Sequence, residues 1–331
     1  MTTLTPPRPC SNISGMDLSI CIVNWNTCDL LRACLDSLYR TITRHSFEVI
    51  VLDNASTDGS TAMVAAEFPR ARLIANRQNV GFAAGNNQAL SAARGRYLMI
   101  LNPDTEALPD GFDAMIDYLE AHPEVGLLSP KFIYPDGKPQ NSCLSFPTLF
   151  TEFADLSGMA RKHPKSPFWA RYTMAGWAHD ETREVDQPMG TCLLARREVI
   201  EQVGLLDERF PLYYNDVDWC RRIKHAGWKI VFLADTSLVH LRRASGDLLG
   251  LRRLVEHHRG KCRYFYKRYG WLGYPAYWLL NVVFIGGRWL RRRLGSLGKP
   301  APPDLAQLNL ILKVYFSADQ LRADWRPPEG D

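Results

Sequence analysis

Four short apolar runs alternate with helix-length segments along the first hundred residues, and each run stops at a polar side chain. Residues 18–25 (LSICIVNW), 47–52 (FEVIVL), 72–75 (RLIA) and 97–101 (YLMIL) are too short for helices and rich in β-branched or bulky residues. Between them, Leu30, Leu31, Cys34, Leu38 and Ile42 share one helix face after an Asn26-Thr27 cap. A second helix over 62–68 stops at Pro69, and a small-residue helix over 83–93 is closed by Gly95. Such alternation predicts a doubly wound, mainly parallel, Rossmann-like α/β sheet. Ligands bind such sheets beyond the carboxyl ends of the strands. Asn26, Asp53 and Asp104 all fall at that edge.

The later chain is less regular. A strand is expected at 125–129, a turn at Tyr134-Pro135-Asp136-Gly137, and an aromatic, Pro-rich substrate loop or small insertion over 140–187. Regularity returns with a strand at 189–195, helices near 198–203 and 217–226, and a strand at 229–233. The 331 residues suffice for one large domain and a smaller appendage. We divide them into a disordered tail (1–15), the α/β domain (16–245, halves 16–130 and 131–245), a basic amphipathic helical segment (246–297) and a C-terminal tail (298–331). The first 15 residues hold no apolar signal region, so no secretory leader is expected, and Met16, directly before the first strand, is a candidate start alongside Met1. Eight cysteines show neither CxxC nor zinc spacing, which fits reduced core residues of a cytosolic protein.

Two acidic loops about a hundred residues apart carry the chemistry: Asn102-Pro103-Asp104-Thr105, and residues 214–219 (YNDVDW). A carboxylate placed for a divalent metal and another placed to take a proton is what sugar transfer from a nucleotide diphosphate requires. Asp104 fits a hard cation that completes its shell with phosphate oxygens and water, or equally a helix N-cap. Asp216 and Asp218 lie two apart, so only one can face a given site. That one fits a general base kept ionised by a helix N-terminus, and both also fit plain capping acids. His240 ends the apolar run at 236–239 and suits Mn²⁺ better than Mg²⁺, or a structural role. Asp53-Asn54 could accept the imide N–H of a pyrimidine base, or form an Asx-turn and cap. Residues 79–87 (NVGFAAGNN) place two glycines and several amides at a helix start, suiting a sugar or phosphate. Their alternative is a tight turn with close helix packing.

In order along the chain, SICIVNWNT, VIVLDNASTDGS, NVGFAAGNN, YLMILNPDT, MGTCLLARREVIEQVGLLDERF, YYNDVDWCRRIKHAGWKI and SLVH closely resemble inverting glycosyltransferase family 2 with its GT-A fold. The resemblance runs from about residue 19 to 240 and is nearest to bacterial rhamnosyltransferase-like members. It implies that Asp53 contacts the base with help from Asn26 and Asn79, and that Asn54, Gly81, Phe82, Asn86 and Asn102 belong to the nucleotide-sugar side. It implies that Asp104 is the last carboxylate of a reduced DxD motif binding Mg²⁺ or Mn²⁺, completed by His240. Asp216 is then the catalytic base, with Asn215 where an acid often stands, and Gly190, Thr191 and Trp219 face the acceptor. The expected reaction moves a sugar, L-rhamnose from dTDP-rhamnose in the first instance and a UDP-linked hexose or N-acetylhexosamine next. The acceptor would be a glycan or polyprenyl-linked hydroxyl in cell-envelope polysaccharide synthesis.

Charge is uneven. Residues 242–299 hold 14 Lys and Arg against Asp247 and Glu256, while the whole chain carries only +5. An anionic surface is the implied partner. Residues 271–290 (WLGYPAYWLLNVVFIGGRWL) are apolar enough to raise a membrane span, but Pro275, Asn281, Gly286, Gly287 and Arg288 favour an interfacial anchor. A buried helix is the other alternative. The expected location is cytoplasmic, peripheral on the inner face of the membrane. A nucleic-acid-binding protein is the rival from another class, but no RNA- or DNA-binding signature appears, so no nucleic acid is expected.

Overall fold

The alternation read from the sequence becomes β1 (Leu18–Asn24), α1 (Cys28–Thr41), β2 (Phe47–Asp53), α2 (Ser60–Glu67), β3 (Arg72–Ala75), α3 (Phe82–Ala92) and β4 (Tyr97–Leu101). The structure is a computed structural model that describes residues 15–174, 176–241, 250–296, 302–317 and 320–321. Strand β1 pairs in parallel with β2 on one side and β4 on the other. Strand order therefore reverses there, and a crevice opens at the carboxyl ends. The register sets Asn24 opposite Asp53 and Ile22 opposite Leu101, which brings the strand ends level.

Both faces of this sheet are covered. Leu18, Ile20 and Ile22 pack with Leu31, Leu35 and Leu38 of α1 and Val64 of α2. Cys21 and Val23 point the other way, to Ala89 and Leu90 of α3. A strand buried on both faces reads as an unbroken apolar run, which is why β1 was legible. The expected Asn26-Thr27 cap is replaced: Cys28 N donates to Asp58 Oδ2 at 2.7 Å, while Thr27 Oγ1 donates back to Asn24 Oδ1.

The chain continues through β5 (Thr105–Ala107), α4 (Gly111–Ala121), β6 (Val125–Ile133), β7 (Cys143–Leu144), α5 (Leu149–Leu156), α6 (Met159–Lys162), β8 (Arg183–Glu184), β9 (Gln187–Pro188), β10 (Cys192–Arg196), α7 (Arg197–Val203), α8 (Asn215–His225) and β11 (Lys229–His240). The main sheet runs β3-β2-β1-β4-β10-β6-β11-β5, with β8 also on β11. The β3-to-β4 half is parallel, whereas β10 is antiparallel to both β4 and β6. Two departures from the sequence reading shape the site. The stretch after Asp104 is a strand, and β11 does not stop at Leu233 but shifts register and runs on to His240. Antiparallel β5–β11 pairing then sets His240 opposite Thr105, beside Asp104.

Two helices close the chain: α9 (Arg252–Gly295) and α10 (Pro303–Phe316). The first is broken at Gly270 (φ 63°, ψ −168°), with Pro275 just beyond. Residues 298–331 were expected to be a tail, yet α10 packs on α9 through Leu308, Val314 and Tyr315. The Phe265 and Tyr277 rings stack at 4.1 Å, and the Tyr277 and Tyr315 hydroxyls meet at 3.0 Å. Phe210, Tyr214 and Val217 join the same cluster, rooting the C-terminal helices against α8. Among the described residues no helix is long and apolar enough to cross a membrane, and the seven described cysteines are free, six of them buried. The tail expected over 1–15 lies, apart from Gly15, outside the described residues.

Candidate active site

Helix α8 begins beneath a residue in an unusual backbone setting. Tyr214 holds φ 70°, uncommon for a large side chain, and its ring is fixed against His257 and Tyr264. Asn215 then donates Nδ2 to the carbonyls of Phe210 and Leu212 at 3.1 and 3.0 Å. A carboxylate at 215 would face two acceptors, so this turn is matched by an amide. Asp216 follows, accepting from its neighbour Val217 N at 2.9 Å and from Gly190 N at 3.1 Å. Burial pushes its carboxyl above the ordinary aspartate value, against the opposing pull of those backbone N–H groups. The approach at Gly190 is close. A Cβ there would lie 3.0 Å from Asp216 Oδ2 and 3.3 Å from its Cγ.

Asp218 belongs elsewhere, as the two-residue spacing required. It is buried and bridges Arg222 at 2.9 Å and Lys267 at 2.6 Å, which makes it a brace between α8 and α9.

Asp104 lies in a turn tied to Thr191, the residue after Gly190. Thr105 Oγ1 closes the turn onto Asn102 O at 2.7 Å, and Asn102 N donates to Thr191 O at 2.9 Å. Asp216 and the Asp104 turn are thus tied to adjacent residues, Gly190 and Thr191. Asp104 is 4% exposed, and its Oδ1 is buried with no hydrogen-bond partner, as is Asn102 Oδ1. Its Oδ2 lies 3.6 Å from His240 Nε2.

The imidazole is oriented from behind by a residue the sequence did not flag. Gln140 Nε2 donates to His240 O at 2.7 Å and Ile133 O at 3.2 Å. Carbonyls only accept, so the amide can point only one way, and Oε1 must be the atom 3.0 Å from His240 Nδ1. That atom also only accepts. In the neutral form that can ligate a metal, the imidazole would therefore carry its proton on Nδ1 and turn the Nε2 lone pair toward Asp104. Two buried donors and an orphaned carboxylate oxygen fit a divalent cation whose other ligands are phosphate oxygens and water. Among the described residues no cluster of three His, Cys, Asp or Glu could enclose one alone.

At the carboxyl end of β2, Asp53 is buried and accepts from Ser56 N, three residues on rather than the two of an Asx-turn, at 2.8 Å and from Asn24 Nδ2 at 2.9 Å. Asn24 was not singled out from the sequence, although it ends β1 at the predicted edge. Asn26 accepts from Thr57 N at 2.8 Å. Asn54 braces the neighbouring loop through Gly81 O and Asn76 Nδ2, while buried Asn86 donates to Phe82 O.

Two expectations are corrected. The amides at the start of α3 are not open to a phosphate: Phe82 N and Ala83 N both donate to Pro211 O, and Gly81 N donates to Asn79 Oδ1. Gly85 serves close packing instead, since a Cβ there would meet Leu52 at 3.0 Å and Val23 at 3.2 Å. Trp219 cannot reach an acceptor either. It is fully buried, with Nε1 donating to Gly204 O at 3.0 Å; its position in α8 turns it into the core while Asp216 stays at the mouth. A cavity of about 670 Å³ lined by Arg161, Arg288, Arg291 and Arg292 lies among the C-terminal helices, not at the carboxylates.

Comparison with known proteins shows the family and the fold. The family model described as Glycosyl transferase family 2 matches residues 19–204. An N-acetylglucosaminyl-diphospho-decaprenol L-rhamnosyltransferase of Mycobacterium tuberculosis is 28% identical over 257 residues, covering 72% of this chain and 81% of that protein. A mannosyltransferase from Pyrobaculum calidifontis, solved with GDP-Man and Mn²⁺, superposes with a TM-score of 0.53 at 18% identity, over 92% of this chain and 81% of that one. GalNAc-T7, solved with UDP, GalNAc and Mn²⁺, gives 0.53 at 14% identity over 70% and 44%.

The relay behind His240 is open to test by stability. Gln140→Leu removes the acceptor of the Nδ1 proton and the donor to the His240 and Ile133 carbonyls, and is expected to lower the unfolding free energy by about 1–3 kcal/mol. An unchanged denaturant midpoint would show that the relay contributes nothing.

Proposed function

The chain belongs to glycosyl transferase family 2, and from that premise we propose that it is an inverting transferase that moves L-rhamnose from a nucleotide diphosphate to a hydroxyl of a lipid-linked glycan. It is a glycosyltransferase by family, with a mixed, mostly parallel α/β fold. The choice of sugar and acceptor draws on the mycobacterial relative, whose name gives both. A UDP-linked sugar is the alternative donor.

One observation carries the mechanism: Asp216 and the Asp104 turn are held by adjacent residues of one segment. A sugar bound against Gly190 and Thr191 would have a carboxylate on either side. Inversion needs that arrangement, because the acceptor oxygen must attack the anomeric carbon from the face opposite the departing diphosphate. Asp216 would take the acceptor hydroxyl's proton as the new bond forms, and its raised pKa makes it a stronger base for that step. Asp104 and His240 would hold a divalent cation, which when bound neutralises the charge developing on the leaving diphosphate. Mn²⁺ suits the imidazole better than Mg²⁺.

The C-terminal helices support action at a membrane surface. Leu272, Leu279, Val283, Leu290 and Leu294 recur at steps of seven and four, one face of a helix, and all are exposed. Trp271 and Leu272 are 74% and 75% exposed. Exposed Arg291, Arg292 and Arg293 lie at the end of that face, a pairing that fits an anionic bilayer surface.

Four outcomes are expected. Asp216→Asn should lower kcat by about 10²–10⁴-fold while nucleotide affinity, read by titration calorimetry, is retained. In the unsubstituted enzyme the acid limb of kcat/KM should lie above pH 3.8, since activity disappears as pH falls through the raised pKa of the base. Near-normal turnover by that variant would remove Asp216 as the base. Asp104→Ala should abolish saturable Mn²⁺ binding in the presence of nucleotide, and an unaltered titration would count against the metal assignment. Val283→Glu should reduce co-sedimentation with phosphatidylglycerol vesicles; equal sedimentation with neutral phosphatidylcholine would exclude the charge component.

A further inference from the structure

A second cavity lies apart from the two carboxylates, and neither Asp104 nor Asp216 lines it. A cavity of about 480 Å³ is lined by Phe146, Phe150 and Phe168 together with Arg171, Arg268 and Asp186. The aromatic wall is built: Phe150 and Phe168 rings are 4.6 Å apart, and Trp169 stacks behind Phe150 at 5.8 Å. Phe168 is exposed, as a rim meant to stay dry only when covered would be. The one acid in the wall is already matched, since Asp186 Oδ1 sits 3.1 Å from Lys224 Nζ. The two guanidiniums therefore set the sign of the cavity. Arg268 is held in place by donation to Pro147 O and Tyr264 Oη and by packing over Tyr269. Thr148 and Thr151, at the positive end of α5, also face the space.

Position links this cavity to the chemistry. Ser145 lines it and accepts from Gln187 Nε2 at 2.8 Å. Asp186 is four residues before Gly190, a span of at most ~14 Å, and Gly190 N is the donor to Asp216. On its far side, Arg268 is followed within three residues by Trp271 and by the exposed face of α9. Short stretches of chain thus connect the cavity to the residue that holds the base and to the apolar helix surface. A ligand filling it would place anionic groups on Arg171 and Arg268, a polar end toward Asp216 and a hydrocarbon end along the aromatic rim.

We infer that the Arg171–Arg268 cavity binds the diphosphate of an isoprenoid-lipid-linked acceptor, with the aromatic wall against the first units of the lipid. This rests on the transferase reading above and adds the residues that would select the acceptor. Guanidiniums suit the role because their forked donors pair two phosphate oxygens at once.

The test uses the full chain and farnesyl diphosphate as probe, with farnesol and inorganic diphosphate as its two halves. Calorimetry should show saturable binding of farnesyl diphosphate, and weaker binding of either half by at least about tenfold. Arg171→Glu and Arg268→Gln should each weaken that binding by about tenfold or more, with circular dichroism and nucleotide affinity as controls for folding. Arg171 is exposed, so its replacement keeps the test valid should Arg268→Gln disturb the fold. Wild-type affinity in both variants would overturn the inference. So would a loss confined to phosphatidylglycerol vesicles, which would make the cavity a contact for bulk lipid. Failure of the wild-type chain to bind any nucleotide would instead strike the transferase reading, and the two failures are read in separate titrations.

Discussion

The site depends on one short piece of backbone. Gly190 gives its N–H to Asp216, and Thr191 gives its carbonyl to the turn that carries Asp104. Neither bond is strong alone, at about 1 kcal/mol net for a typical intramolecular hydrogen bond. Their value is geometric, because they fix two carboxylates from different halves of the chain against one reference segment. That segment can approach so closely only because residue 190 has no side chain. Strand β10, which follows it, is antiparallel to β4, so the segment enters the sheet at the edge where β4 ends. Topology and chemistry meet at that reversal.

The imidazole side shows the same economy of parts. Three residues of β5 pair with the last three of β11 and carry His240 to Asp104. Gln140 then settles which nitrogen bears the proton, through an amide whose own orientation is dictated by two carbonyls. The orientation of the imidazole is thus set by the backbone first and the amide second. The buried, unpaired oxygen of Asp104 is costly unless something cationic meets it.

Much of this was legible in the sequence, for identifiable reasons. Strands covered on both faces read as continuous apolar runs, so the parallel half and its polar edge could be placed, and Asp216 and Asp218 were separated correctly by spacing alone. What could not be read were decisions made by distant partners. Pro211 occupies the α3 amides that spacing offered to a phosphate. Trp219 looked available beside an acidic loop, yet the helix turns it into the core. β11 outran its apolar run because β6 continues to pair with it beyond a register shift. Gln140 is a hundred residues from His240, and nothing local marks it.

Lys267 has a consequence for where this protein can be divided. Its ammonium lies between Asp218 of α8 and Asp207, at 2.6 and 2.7 Å, and Tyr264 beside it covers Tyr214. Cutting the polypeptide near residue 245 would strip a cation from two acids and bare the apolar side of Phe210, Tyr214 and Val217. The residue that aims Asp216 would lose its wall. The α/β domain and the C-terminal helices therefore share one apolar cluster, and a truncated version would lose the packing behind the turn that leads into Asp216.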